Sequence, residues 1–366
     1  MNLPNPLHFK NFWNWIPALL SETLGWPILS FYARWCVSAK PSPPNTWRKL
    51  LLLGADHIGD VLYRTSSLRA LHEALPGCQI DWLVSPPAHE VLIGNPFINK
   101  LIVCKSDESR ASLLTRMRAE GYDAAICYDV RSHISRLLLL LQAGIPNRMA
   151  YVHKGFSAWV NYPVVFRPYQ PYPGYFRDLV ADLAKRPADW SLRPVVPILP
   201  SDEAEARAFR NQFRLEHKVV LACFPTSRQP SSSFWAPENF VCVLKSLTRH
   251  MEYKLVLCGA PSDKMLLEEM ARELHPRPVV CAGELSLRAL VAFIKTCRAV
   301  FSADSKPRHL SNAAGVPVVF VRNTLFHPVE AGVYCEGEYD CWQPSREQQV
   351  ELAITKLTTL LRLEAN

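Results

Sequence analysis

Short apolar runs alternate along most of the chain with longer segments whose apolar residues recur every three or four positions. The short runs predict strands at 49–54, 79–84, 100–104, 124–127, 218–224, 254–258, 279–282, 299–302 and 316–321. The longer segments predict helices at 60–75, 87–93, 109–120, 131–141, 175–185, 237–249, 262–274, 286–296, 307–314 and 346–363. Strands that alternate with helices of these lengths form βαβ units around a parallel sheet, which predicts an α/β protein.

The alternation stops once, between residues 152 and 200, where prolines and tyrosines accumulate. A chain of 366 residues is long enough for two domains with full cores. We therefore predict two doubly wound, Rossmann-like domains that face a central cleft, the first over 47–190 and the second over 191–345. A last amphipathic helix within 346–366 is expected to cross back to the first domain.

Residues 1–46 differ from the rest in their many aromatic side chains and their single acidic residue, Glu22. Pro17 and Pro27 interrupt the apolar stretch, so it is a poor candidate for a spanning helix. It also lacks the charged start, the clean apolar centre and the cleavage site of a secretory signal. Two interpretations remain open: a helix pair that lies in a membrane surface, or a terminal arm that packs on its own domain.

The formal net charge of +8 is concentrated in the first half of the chain. Residues 47–200 hold 18 basic and 13 acidic side chains, whereas residues 201–366 hold 20 and 19. This asymmetry fits an anionic partner on the first domain, although an ordinary basic surface explains it equally well. The eleven cysteines show no CxxC spacing, and several lie inside apolar runs. We therefore expect a protein of the reducing cytoplasm, with no metal site and no nucleic acid partner.

One loop that follows a predicted strand carries a candidate base. The string Gly54-Ala55-Asp56-His57-Ile58-Gly59-Asp60 directly follows the apolar run 50–53. The spacing of its glycines is not GxGxxG, which disfavours a nicotinamide oxidoreductase. Asp60 lies where a helix is expected to begin. There its carboxylate either accepts the proton of an attacking hydroxyl group or simply caps the helix.

A second loop, Asp304-Ser305-Lys306-Pro307-Arg308-His309, follows the apolar run 299–302. Backbone N–H groups at a helix start, together with Ser305 and Lys306, suit a phosphate group. His309 lies one turn into that helix, where it either contacts the phosphate or packs in the core. A third loop after the run 218–224 adds hydroxyl groups and a cation. The predicted donor- and phosphate-binding residues are Thr226, Ser227, Arg228, Asp304, Ser305, Lys306 and His309.

These motifs, in this order, resemble glycosyltransferase family 9, the lipopolysaccharide heptosyltransferases. The resemblance spans residues 48–365 and is carried by the loops above and by shorter strings in both halves. The shorter strings are Leu68-Arg69-Ala70-Leu71, Leu75-Pro76-Gly77, Gly94-Asn95-Pro96-Phe97, Tyr122-Asp123, Trp235-Ala236-Pro237-Glu238-Asn239-Phe240 and the stretch from Leu310 to Val318. With the resemblance added, Asp60 is favoured as a base over a helix cap.

The resemblance implies an inverting, metal-independent glycosyltransferase of the GT-B architecture, which needs no cofactor and takes heptose from ADP-heptose. It places the family's base on Asp60, its phosphate motif on 304–309 and its hydroxyl pair on Thr226-Ser227. Family acceptors are anionic inner-core sugars on lipid A, which implies a glycan or glycolipid acceptor and a cytoplasmic enzyme on the inner face of the membrane. Contacts to the acceptor are expected at His57, Arg64 and Arg131, with Arg69, Arg136 and Arg148 as further candidates.

Two positions depart from the family pattern. The diphosphate-binding lysine expected two residues before Trp235 is Ser233, and the motif glycine is Lys306. Either Lys306 or Arg228 supplies the missing charge, or the site is weakened. The alternative function is therefore a catalytically weakened binding or scaffold protein on the same fold, associated with a membrane or a glycan-assembly partner. A sugar-nucleotide epimerase shares the fold and is a further minor alternative.

Overall fold

The computed structural model describes residues 12–54, 57–104, 107–129, 134–226, 235–248, 253–322 and 327–362. The chain divides into two compact units, Met1–Trp190 and Ser191–Asn366. The division falls at the position where the two domains predicted from the sequence meet. Each unit is built on a sheet of six strands.

The first unit begins with two helices that precede its sheet. Its strands are β1 (Lys49–Leu53), β2 (Gln79–Val84), β3 (Lys100–Val103), β4 (Ala124–Cys127), β5 (Asn147–Tyr151) and β6 (Tyr162–Val164). Its helices are α1 (Phe12–Glu22), α2 (Trp26–Cys36), α3 (Ile58–Thr65), α4 (Leu68–Ala74), α5 (Pro86–His89), α6 (Arg110–Glu120), α7 (Ile134–Gln142) and α8 (Tyr172–Ala184).

The second unit begins with a helix and ends with one. Its strands are β7 (Val219–Phe224), β8 (Tyr253–Gly259), β9 (Val279–Ala282), β10 (Ala299–Ala303), β11 (Val318–Val321) and β12 (Glu338–Asp340). Its helices are α9 (Pro200–Gln212), α10 (Pro237–Thr248), α11 (Lys264–Glu273), α12 (Leu287–Lys295), α13 (Lys306–Ala314) and α14 (Arg346–Arg362).

Both sheets have the same topology. The strand order is β3-β2-β1-β4-β5-β6 in the first sheet and β9-β8-β7-β10-β11-β12 in the second, with parallel pairing. Each sheet therefore has one topological switch point, between β1 and β4 in the first unit and between β7 and β10 in the second. Ligands of doubly wound domains bind beyond the carboxyl ends of the strands at such a point. The prediction of two doubly wound α/β domains is confirmed.

The central strands are buried on both faces because helices cover each sheet on two sides. The leucines of β1 are at most 2% exposed. In the second unit, α14 packs Ala353, Leu357 and Leu360 into the core formed by the sheet and α10. The described part of α14 therefore belongs to the second unit, and its predicted crossing to the first domain stays a prediction.

The segment predicted as one helix at 60–75 is instead two helices, α3 and α4. The hydroxyl of Thr65 donates to the carbonyl of Leu62 at 2.7 Å, and side-chain bonds of this kind compete with the backbone ladder of a helix. Ser67, which is fully buried, follows the break. Its hydroxyl accepts the indole N–H of Trp190 at 3.0 Å, which holds the chain in the broken conformation.

The sequence pattern does not predict α9, β6 or β12. Helix α9 follows a proline-rich stretch, and of its apolar residues only Ala206 and Phe209 are buried, so its apolar stripe is narrow. Strands β6 and β12 have three residues each, which is too short for an alternating pattern to stand out.

Candidate active site

At the switch point of the first sheet, Tyr128 locks the end of β1 against the end of β4. Leu53 pairs with Cys127, so Gly54 lies beside Tyr128. The Tyr128 hydroxyl donates to the carbonyl of Gly54 and accepts the indole N–H of Trp82 at 2.5 Å. Burial raises the pKa of the Tyr128 phenol, so the hydroxyl keeps its proton. Gly54 has φ +127°, and a Cβ there would lie 3.1 Å from the Tyr128 ring.

Asp60 lies in the first turn of α3, directly beyond this junction. The residue before the helix is His57, which is exposed and makes no side-chain capping bond. Asp60 is half-buried, and within the described residues its carboxylate has no hydrogen-bond partner. A capping carboxylate would accept backbone N–H groups of the first turn. The described contacts therefore do not make Asp60 a helix cap, and they leave its carboxylate available to a ligand.

Arg64 lies one turn after Asp60 and is held in place by the same junction. Its guanidinium lies 4.2 Å from the ring centroid of Tyr128 and donates to the backbone carbonyl of Asp60. Its Nε is buried and has no hydrogen-bond partner in the described part of the chain. A guanidinium fixed one turn after Asp60 suits an anionic group of an acceptor. Its assignment as an acceptor contact stays a prediction.

Of the other arginines expected to contact an acceptor, Arg136 lies at the same junction, since a Cβ on Gly54 would lie 3.6 Å from its guanidinium. Arg136 forms an ion pair with Asp129, and Arg69 forms one with Glu73 on the helix surface. Arg131 lies outside the described residues.

Arg148 is buried, and the expectation that it contacts an acceptor is wrong. It donates to the carbonyls of Ile145, Pro146 and Trp159. Burial lowers its pKa to about 10. Its role is to tie β5 to the chain around it.

At the switch point of the second sheet, Thr226 follows β7. Its hydroxyl donates to the carboxylate of Asp263 at 2.8 Å, and the same carboxylate oxygen accepts the backbone N–H of Ala260 at 2.9 Å. The hydroxyl proton is therefore directed at a neighbouring loop, while the oxygen can still accept a bond. Ser227 and Arg228 lie outside the described residues.

The loop after β10 leads into α13, the helix expected to hold a phosphate. Ser305 precedes the helix, and Lys306 and Pro307 are its first two residues. Proline has no backbone N–H, so this helix start has one donor fewer than an ordinary one. Lys306, whose side chain is half-buried, directly precedes this proline and adds a cation to the helix start. Phosphate binding here therefore depends on side chains more than the motif suggests.

Arg308 organises this loop, and the sequence interpretation missed it. The residue is 1% exposed. Its guanidinium lies 2.6 Å from Glu338 and 2.9 Å from Asp304, and it also donates to the carbonyls of Ala331 and Gly332. Burial alone lowers its pKa, but the two carboxylates reverse this and raise it, so Arg308 is always charged. Asp304 is thus a partner of Arg308.

Glu338, at the start of β12, joins Arg308 to the loop that precedes this strand. One carboxylate oxygen also accepts from Asn312 at 2.8 Å. The other accepts the backbone N–H groups of Tyr334 and Cys335 at 2.7 and 3.1 Å. The sequence does carry one signal for this network: Arg308 falls on the inward side of a helix. A charged side chain buried there requires an acidic partner.

His309 is 6% exposed, and its Nδ1 lies 2.8 Å from the hydroxyl of Tyr334. Burial, and then the charge of Arg308, holds the pKa of His309 well below its ordinary value. A neutral imidazole can donate one hydrogen bond, but it brings no positive charge to a phosphate. Of the predicted donor-binding residues, Lys306 and Arg228 are therefore the ones that carry positive charge.

The depressed pKa of His309 predicts a pH-dependent stability. The unfolded chain binds a proton to this residue below about pH 6.5, whereas the folded chain does not. The free energy of unfolding therefore has its full value above that pH. Below that pH it decreases, by up to about 1.4 kcal/mol per pH unit. We expect His309→Gln to remove this part of the slope in urea unfolding measured from pH 7 downward. The exposed His217, replaced by Asn, is the control; an unchanged slope in His309→Gln would contradict the assignment.

Two further observations concern the chain as a whole. Within the described ranges, no cluster of three or more His, Cys, Asp or Glu side chains could hold a metal ion, and none of the eleven cysteines, all of which are described, forms a disulfide. None of the described helices is both long enough and apolar enough to cross a membrane.

Comparison with known proteins gives consistent matches. A family model described as glycosyltransferase family 9 (heptosyltransferase) matches residues 110–332. Lipooligosaccharide heptosyltransferase 2 of Haemophilus influenzae is 24% identical over 292 residues, covering 74% of this chain and 82% of that protein. A family 9 glycosyltransferase structure from Veillonella parvula superposes with TM-score 0.75 at 20% identity, covering 89% and 100% of the two chains. The ADP-heptose lipopolysaccharide heptosyltransferase II structure from Escherichia coli gives TM-score 0.65 at 21% identity, covering 87% and 100%.

Proposed function

Because this chain belongs to glycosyltransferase family 9, and is thus a glycosyltransferase that uses a nucleotide sugar, we propose that it transfers heptose from ADP-heptose with inversion. The acceptor is a lipopolysaccharide-type glycan or glycolipid. The names of two matched relatives, a lipooligosaccharide heptosyltransferase and an ADP-heptose lipopolysaccharide heptosyltransferase, support this donor and acceptor class. With such an acceptor, the enzyme acts at the cytoplasmic face of the membrane.

In the proposed mechanism the first unit supplies the base. The acceptor hydroxyl donates its proton to the Asp60 carboxylate as its oxygen attacks the anomeric carbon, and the bond to the diphosphate breaks on the opposite face. The observation that carries this proposal is the Asp60 carboxylate, which has no partner among the described residues yet lies at a topological switch point. Arg64, 4.2 Å from the ring of Tyr128, is positioned to hold an anionic group of the acceptor.

The second unit stabilises the leaving nucleoside diphosphate. Negative charge grows on the diphosphate as the sugar departs, so preorganised donors and a cation lower the barrier. The start of α13 supplies backbone N–H groups, and Lys306 supplies positive charge. The network of Arg308 with Asp304 and Glu338 holds this helix start rigid.

The direct test is a transfer assay with ADP-heptose and lipopolysaccharide that lacks heptose, read by mass spectrometry of the product. We expect one heptose to be added and ADP to be released. A chain that binds ADP-heptose but neither transfers nor hydrolyses it would instead support the alternative of a binding or scaffold protein, which the Ser233 and Lys306 departures keep open.

Lys306→Ala is expected to weaken ADP binding by about 10- to 100-fold, the worth of one charge-assisted hydrogen bond to a phosphate. Affinity for the acceptor should not change. Isothermal titration calorimetry with ADP measures the effect, and Lys295→Ala, on the exposed end of α12 in the same unit, is the control. Unchanged ADP affinity in Lys306→Ala would indicate that Arg228, and not Lys306, supplies the positive charge to the diphosphate.

A further inference from the structure

Helices α1 and α2 are fastened to the first unit by polar contacts at their junction. Ser21 accepts the backbone N–H of Phe156 at 3.0 Å. The Glu22 carboxylate accepts the backbone N–H of Ser157 at 2.7 Å and also its hydroxyl. Gly155 permits the close approach, since a Cβ there would lie 2.6 Å from the Ser21 hydroxyl. The arm thus packs on its own domain, one of the two interpretations that the sequence left open.

One face of α2 is covered by this packing. Leu29, Tyr32 and Ala33 contact the core that contains Trp159. A helix that needed only this contact would place polar residues on its other face.

The opposite face of α2 is apolar and open. Ile28, Phe31 and Trp35 are 72%, 72% and 78% exposed, and Leu24, in the turn before the helix, is 81% exposed. Spacings of four, three and four residues put these four side chains on one side, which we call the outer stripe. Contiguous exposed apolar side chains of this size mark an interaction surface.

The exposed charges of the arm itself have one sign. Between residues 15 and 46 the only acidic residue is Glu22, which is buried and bonded to Ser157. The exposed charges in that range are Arg34, at the edge of the stripe, and Lys40.

Two further cations lie beside α2. Gln142 contacts the hydroxyl of Tyr32 at 3.4 Å and is itself bound by the exposed Arg110 and Arg118. These two cations therefore lie on the side of α2 that carries Tyr32, whereas Arg34 lies at the edge of the outer stripe.

We propose that the outer stripe inserts into the surface of an anionic lipid bilayer, with α2 lying in the plane of the membrane. Aromatic and aliphatic side chains flanked by arginine and lysine are the composition of interfacial helices. An 11-residue helix extends about 16 Å, about half of the hydrocarbon thickness, so it lies in the surface and does not span it. A second copy of the chain fits less well, because symmetric pairing of the stripes would oppose the cations at their edges.

The test is co-sedimentation of the full chain with vesicles of phosphatidylethanolamine and phosphatidylglycerol, without donor or acceptor. Its outcome is therefore independent of the proposed activity. We expect the wild-type chain to bind, and Phe31→Glu/Trp35→Glu to lose at least about tenfold in vesicle affinity. Met265→Glu, at a side chain 76% exposed on the second unit, is the matched control and should bind as wild type. Arg34→Glu should weaken binding to these vesicles but not to phosphatidylcholine vesicles.

Circular dichroism and hydrogen exchange of residues 155–159 check that the arm stays docked in each variant. Wild-type binding by Phe31→Glu/Trp35→Glu would overturn the proposal. So would a wild-type chain that ignores vesicles but forms a dimer that the double variant cannot form, since the stripe would then bind a second copy. Vesicle binding that appears only after deletion of residues 1–11 would likewise overturn the proposal, because the outer stripe of the full chain would then bind that segment and not the bilayer.

Discussion

Replacing Asp60 with Asn is expected to lower kcat for heptose transfer by about 100- to 10,000-fold, the usual worth of a positioned general base. Asn has nearly the same shape as Asp but cannot accept the proton of the acceptor hydroxyl. ADP should still bind with wild-type affinity, because the predicted donor contacts are on the second unit. Initial rates of ADP release give kcat, and calorimetry with ADP gives the affinity.

Glu73→Gln is the matched control for Asp60→Asn. Glu73 is a carboxylate of the same unit that pairs with Arg69 and Arg186 on the surface, so its neutralisation should leave the rate unchanged. If Asp60→Asn turns over like the wild type and its circular dichroism is unaltered, Asp60 has no part in proton transfer. If the variant also loses ADP affinity, its defect is not confined to the chemical step.

Replacing Arg308 with Met is expected to destabilise the second unit by about 3–5 kcal/mol, the typical cost of removing one partner of a buried ion pair. The substitution leaves Glu338 and Asp304 without the cation that lies 2.6 and 2.9 Å from them. Urea unfolding of the full chain measures the loss, and hydrogen exchange of peptides from α13 assigns the transition to this unit.

Two comparisons separate the buried network from a general loss of charge. Lys245→Met removes a cation from an exposed pair with Glu273 and should cost at most about 1 kcal/mol. Arg308→Met combined with Glu338→Gln should cost less than the sum of the two single variants, since the removed charges belong to one network. Strict additivity would mean that Arg308 stabilises the loop through packing alone.

The predicted loops were located well because their position follows from local pattern. The apolar runs before Gly54 and Asp304 end where β1 and β10 end, to within a residue. Strand order could not be read from the same pattern, because pairing joins residues far apart in sequence, such as Leu53 and Cys127. That pairing brings Tyr128 to Gly54, and the motif strings do not include Tyr128.

Family-like strings are also imperfect guides to chemistry. Tyr122 and Asp123 are part of the resemblance, yet they serve the opposite end of the first sheet. Tyr122 donates to Asp81 at 2.9 Å, and Asp123 accepts the backbone N–H groups of Arg48 and Lys49. Trp235 likewise donates to Gln349 on α14 at 2.7 Å and thereby fixes the start of α10.

The amino-acid sequence by itself determined the fold class, the family, and the loops in which the candidate base and phosphate site lie. It could do so because apolar periodicity, turn residues and motif spacing are local properties of the chain. Only the tertiary structure decided which charged side chains of those regions are buried and paired within the scaffold. Arg308 and Arg148 are scaffold cations because of Glu338, 30 residues away, and Trp159, 11 residues away. Burial and partner choice depend on such contacts, and no local pattern encodes them.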